Sequence, residues 1–95
     1  MNVIWRRWAR EDLEMAQRYI ARHDPGAAAR IGQRILAAAA TLATAPHIGR
    51  PGRVDETREL VVSDTPYILA YDVIAGEIVI LDVVHGAQEW QDGFR

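Results

Sequence analysis

The sequence predicts an α+β domain in the order strand, antiparallel helix hairpin, three antiparallel strands (β-α-α-β-β-β). Three observations carry that expectation. Residues 9–43 are rich in alanine and repeat their apolar side chains at helical spacing. Residues 57–85 gather β-favouring side chains into three short runs bounded by turn residues. A Pro/Gly loop at residues 45–52 divides the two halves. At 95 residues and 49% hydrophobic content the chain makes one domain, residues 1–95, with a single core. A core this small leaves little stability in reserve, so a large apolar face left open would call for a partner.

Residues 2–8 read as the first strand, because Val3, Ile4, Trp5 and Trp8 favour extended backbone. Glu11, Asp12 and Glu14 then fall in an expected first helical turn, where carboxylates complement the helix dipole. Leu13, Ala16 and Ile20 make an apolar stripe, with Tyr19 beside it. His23-Asp24-Pro25-Gly26 interrupts that pattern, with Asp24 placed as an N-cap and Pro25 at the first helical position. A second helix is expected over residues 25–43, its core face carrying Ala28, Ile31, Ile35, Ala39 and Leu42. The short connection makes the helices an antiparallel hairpin.

Strands are expected at residues 57–62, 67–74 and 77–85, the last two joined through an Ala75-Gly76 turn. With Ile74 opposite Glu77, side-chain alternation assigns the faces. Tyr67, Leu69, Tyr71 and Val73 share one face with Ile78, Ile80, Asp82 and Val84, and this face suits the helices. Ile68, Ala70 and Asp72 share the other with Val79, Leu81, Val83 and His85. On that register His85 stands on the open face, within reach of another molecule.

The chain has no cysteine, which excludes a disulfide framework and a thiolate metal site and agrees with a reducing compartment. The N-terminal apolar run is too short for a signal peptide, Arg6-Arg7 is followed by charge, and no segment reaches transmembrane length. A cytoplasmic location without a membrane partner is expected. Net charge is −2 but unevenly spread: residues 1–58 carry ten Arg and six acids, residues 59–95 one Arg and seven acids. A surface built to grip a phosphate backbone is basic. The half that supplies most of the sheet is not.

His85, at the end of a strand before Gly86, has the chemistry of a general acid or of a target contact; the plain alternative is an imidazole hydrogen-bonded near the sheet edge. Arg50, Arg53 and Arg58 form the one basic cluster near the sheet. Against target contact stand solvated loop charge for Arg50 and Arg53, and an ion pair with Glu56 or Glu59 for Arg58. Trp90 is either a partner anchor or packed on its own core, and core packing is expected of Trp5 and Trp8. Asp82, His85 and Glu89 are the conceivable metal ligands, but one histidine does not make a site, and neither a metal nor a cofactor is expected. No Gly-rich phosphate loop or nucleophile elbow occurs.

Taken in order, several segments resemble the RelE/ParE superfamily of toxins from bacterial toxin–antitoxin modules. They are Ile4-Trp5 with residues 9–13, Pro46-His47-Ile48-Gly49-Arg50-Pro51-Gly52, Thr57-Arg58-Glu59-Leu60-Val61, Tyr67-Ile68-Leu69-Ala70-Tyr71, and Val83-Val84-His85-Gly86 through Trp90. The resemblance implies a plasmid-stabilisation toxin neutralised by a cognate antitoxin. Its target is either DNA gyrase, as in the ParE-like branch, or mRNA on the ribosome, cleaved without metal, as in the RelE-like branch. Nuclease relatives often read His-Arg-Leu-Val-Tyr where this chain has Tyr67-Ile68-Leu69-Ala70-Tyr71, so their arginine falls on Ile68. An alkyl side chain cannot stabilise charge on a phosphorane. A nuclease built on this chain would be left with Arg58, Tyr67 and His85, an incomplete set. The resemblance therefore favours the gyrase branch. A degenerate member that only binds its antitoxin is the third expectation.

Overall fold

Side chains from both halves of the chain meet in one core, and the spacing of those side chains explains the elements that carry them. The computed structural model describes residues 1–86. Strand β1 (Val3–Trp5) leads into helices α1 (Arg7–Ala21) and α2 (Pro25–Thr41), followed by β2 (Arg50–Pro51), β3 (Arg58–Val61), β4 (Tyr67–Ile74) and β5 (Glu77–His85). The five strands form one sheet in the order β1-β5-β4-β3-β2. The predicted α+β architecture is observed, with two additions. β1 pairs parallel to β5, and β2 adds a two-residue antiparallel edge beside β3. The core joins Ala9, Leu13, Ile35, Ala39 and Leu42 to Leu69, Tyr71, Ile78, Ile80 and Val83.

The first strand is shorter than expected. Ala9 and Leu13 are both buried, and one helical turn must separate two residues four apart on one face. The helix therefore starts at Arg7 and takes Trp8, half-buried, with it. Arg6 caps with extended backbone but no side-chain bond, and the first turn holds no acid. Glu11, Asp12 and Glu14 lie further in, where Glu14 meets Arg18 at 3.5 Å across one turn. The second helix begins as expected: Asp24 accepts from the Ala27 N–H at 3.0 Å, and Pro25 opens the first turn.

The hairpin of β4 and β5 begins in the expected register, Ile74 opposite Glu77 and Val73 opposite Ile78, up to Tyr71 opposite Ile80. There the register shifts, and Ala70 lies opposite Asp82. Leu81 is the extra residue of a β-bulge, and the alternation of everything after it reverses. Val83 opposite Leu69, and His85 opposite Tyr67, consequently belong to the helix-covered face. Asp82 and Val84 go to the other. This corrects the expectation that His85 stands on the open face. Nor is that other face bare, since Ile68, Ala70, Leu81 and Val84 are all buried.

Ala75 and Gly76 both have positive φ, 50° and 77°, as the two-residue turn of a tightly twisted hairpin requires. Glycine adopts that backbone readily, whereas alanine is strained by its Cβ. Ala75→Asn should relieve the strain and raise unfolding free energy by about 0.5–1 kcal/mol, read from urea denaturation.

Candidate functional site

The reversed alternation brings Tyr67 and His85 together. Their rings meet edge to face with centroids 5.4 Å apart and planes at 80°. Asp12, Met15, Ala16 and Tyr19 of α1 close over them and, with Val83, line a cleft of about 260 Å³. Burial pushes the Tyr67 phenol up from the ordinary tyrosine range, and the neighbouring Tyr19 adds to the shift. Tyr67 therefore keeps its phenolic proton, while the His85 imidazole beside it is exposed. Among the described residues the lining holds a carboxylate, two phenols and an imidazole, but no guanidinium.

Arg58 is not part of this cleft. It lies opposite Tyr71, four residues along β4 from Tyr67, or about 13 Å at strand rise. Its Nη1 donates to the carbonyls of Gly49 at 2.8 Å and His47 at 3.4 Å. The ion pair with Glu56 or Glu59, the alternative to target contact, does not form among the described residues; these carbonyls hold the guanidinium instead. The three residues of the nuclease expectation thus separate into a pair and an outlier. Ile68 is buried on the face opposite the Tyr67–His85 pair, one residue along the same strand.

Arg50 and Arg53 are anchored rather than loosely solvated. Glu59, 2% exposed, accepts from Arg50 Nη2 at 3.0 Å and Nε at 3.3 Å through Oε1. Its Oε2 accepts the Arg53 backbone N–H at 2.9 Å and lies 3.7 Å from the Arg53 guanidinium. Tyr71 fixes the same loop from beneath: its hydroxyl donates to Pro46 O at 2.9 Å and accepts from Gly49 N–H at 3.0 Å. A Cβ on Gly49 would sit 2.6 Å from that hydroxyl, so the contact needs glycine.

Trp90 and Glu89 lie outside the described residues. Of the conceivable metal ligands, Asp82 and His85 point to opposite faces of the sheet. Among the described residues, no three His, Asp or Glu side chains gather closely enough to hold a metal ion. The sequence reading missed Asp12, Met15 and Tyr19. Their i, i+3, i+7 spacing marks a second helical face beside the core stripe, and that signal was there to be read. Among the described residues no helix is long and apolar enough to cross a membrane.

Glu59→Ala should lower unfolding free energy by about 1–3 kcal/mol in chemical denaturation, because the Arg53 N–H loses its acceptor. The loss stays below that of a fully buried pair, since Arg50 and Arg53 are 53% and 47% exposed and rehydrate. The folded-state pKa of Tyr67 exceeds its unfolded value, so its contribution to stability is intact below the ordinary tyrosine range and lost as pH rises through the raised value. Thermal stability should therefore fall on the alkaline side of that range, and fall less in Tyr67→Phe.

Comparison with known proteins agrees along the chain. Residues 3–90 match the family described as ParE toxin of type II toxin-antitoxin system, parDE. The chain is 45% identical over 89 residues to the candidate toxin Y4kP of Sinorhizobium fredii, covering 94% of this chain and 92% of that one. It is 37% identical to Toxin RelE2 of Caulobacter vibrioides, covering 92% and 97% of the two chains. A chain of the chromosomal ParDE toxin–antitoxin system of P. aeruginosa superposes with TM-score 0.79 at 27% identity, covering 90% of this chain and 95% of that one. The chain is the toxin component of a type II toxin–antitoxin module, and it belongs to the ParE toxin family within the RelE/ParE superfamily.

Proposed function

We propose that this toxin acts by poisoning DNA gyrase, trapping the cleaved-DNA state without chemistry of its own, and that a cognate antitoxin neutralises it by binding. One observation carries the choice of target. The residues available for RNA cleavage do not assemble, because Arg58 is committed to loop carbonyls about 13 Å along the sheet from the Tyr67–His85 pair. Phosphoryl transfer to a 2′-hydroxyl needs a cation at the phosphate. Position 68, where the resemblance places one in nucleases, holds a buried isoleucine. Arg50 and Arg53 are drawn to Glu59. Among the described residues this supports a surface that recognises protein over one that cleaves RNA.

The second reading, a ribosome-dependent mRNA endonuclease, is favoured by the Tyr67–His85 contact and by a relative that carries the name RelE2. The two separate cleanly in vitro. Purified toxin at micromolar concentration should inhibit gyrase supercoiling and accumulate cleaved DNA, with the effect abolished by antitoxin. In a translating extract the same protein should leave transcripts intact; codon-positioned cuts that vanish in His85→Ala would reverse the assignment. Unimpaired growth on induced expression would instead mark a degenerate toxin that only pairs with its antitoxin.

A further inference from the structure

The Tyr67–His85 cleft contains a buried polar group that the fold leaves unanswered. Tyr67 is 8% exposed, and its backbone N–H donates to Thr65 Oγ1 at 3.1 Å. No described residue bonds to its phenolic oxygen, which belongs to a side chain lining the cleft. Tyr71, further along β4, shows the usual arrangement: its hydroxyl donates to Pro46 O and accepts from Gly49 N–H. A hydroxyl kept from bulk water without a partner is unfavourable, and where one persists in a cleft it marks the place of a ligand group. Across the cleft the Tyr19 hydroxyl also makes no hydrogen bond to a described residue.

The remaining lining narrows the chemistry of that group. Asp12 sets a negative charge there, which disfavours a carboxylate or a phosphate as ligand. An aliphatic side chain would fill the space but cover the Tyr67 hydroxyl unbonded. A guanidinium meets both conditions. Its N–H groups, held in a planar fork, can donate to Tyr67 Oη and to the Asp12 carboxylate, while its face lies on an aromatic ring. Met15, Ala16 and Val83 offer apolar contact to the aliphatic stem. The protein displays this affinity once already, since Arg22 Cζ stands 5.9 Å from the centroid of the Tyr19 ring. At about 260 Å³ the cleft is smaller than an ordinary small-molecule site and suits a single long side chain.

We propose that the Tyr67–His85 cleft receives an arginine side chain of the target protein, its guanidinium between Tyr67 Oη and the Asp12 carboxylate and its stem against Met15 and Val83. The gyrase reading above supplies the identity of the target, and the chemistry of the cleft is tested apart from it. N-acetylarginine amide, titrated to millimolar concentration into purified toxin, should shift the Met15 methyl and the Tyr67 and His85 ring resonances. N-acetyllysine amide and AMP should shift them far less, and Tyr67→Phe should weaken the arginine response at least about threefold. In the supercoiling assay Tyr67→Phe and Asp12→Asn should each raise the half-inhibitory toxin concentration by about tenfold, with unchanged circular dichroism. Resonances that stay still with the arginine probe, or answer lysine or AMP as strongly, overturn the assignment whatever happens to gyrase. Two variants that inhibit gyrase as well as the parent toxin also overturn it and leave the gyrase reading standing. A parent toxin that binds the arginine probe but does not inhibit gyrase overturns the gyrase reading and leaves the arginine site with another target.

Discussion

The arrangement of this molecule depends on one surplus residue, Leu81. Without the bulge, strict alternation along β5 would send Asp82 and Val84 to the helix-covered face after Ile78 and Ile80. A carboxylate would then point into a core whose neighbours are Leu69, Tyr71 and Leu13. Burying an unpaired charge there is strongly unfavourable. One extra residue resolves the conflict: Val83 takes the core position opposite Leu69, and Asp82 moves to the other face. The same shift carries His85 round to Tyr67 and creates the cleft under α1. The site is a consequence of keeping a carboxylate out of the core.

The loop between α2 and β3 obeys a second constraint. It carries the basic residues that look from sequence like a target-binding cluster, yet each of them is engaged within the fold. Tyr71 ties Pro46 and Gly49 down through one buried hydroxyl, Arg58 takes two carbonyls of the same loop, and Glu59 draws in Arg50 and Arg53. Charge that is neutralised by a buried carboxylate contributes little field at a distance. The cluster therefore contributes less to a nucleic-acid surface than its arginine content suggests.

Local chemistry was legible in the sequence, and long-range pairing was not. Asp24-Pro25 announces the second helix because capping acts within four residues. The bounds of β4 and β5 and the Ala75-Gly76 turn follow from side-chain pattern and from φ requirements that are equally local. Periodicity cannot say which strand β1 joins, since its three residues would alternate identically beside any neighbour. β2 is too short to have a pattern at all. The bulge left one trace, the awkward placement of Asp82 on the face assigned to the core. Glu59 could not be matched to its arginines, because their approach depends on β2 folding back on β3. Of the candidate site, the Tyr67 and His85 positions were readable, but their partnership required the register shift.

Two concave surfaces of this toxin lie on different sides of α1, and that separation constrains how it can be silenced. Arg10 and Leu13 line a trough beside β1, while Asp12, Met15, Ala16 and Tyr19 face the Tyr67–His85 cleft. At 100° per residue the mean directions of these two sets differ by roughly 140° around the helix. A short segment seated on one side therefore leaves the other uncovered. To reach both surfaces a partner must cross the outer face of α1. Met15 and Tyr19, 61% and 63% exposed, stand on the cleft side of that path and offer apolar contact to a chain that crosses it. If the cleft takes part in target recognition, neutralisation calls for a partner that covers the cleft side of α1.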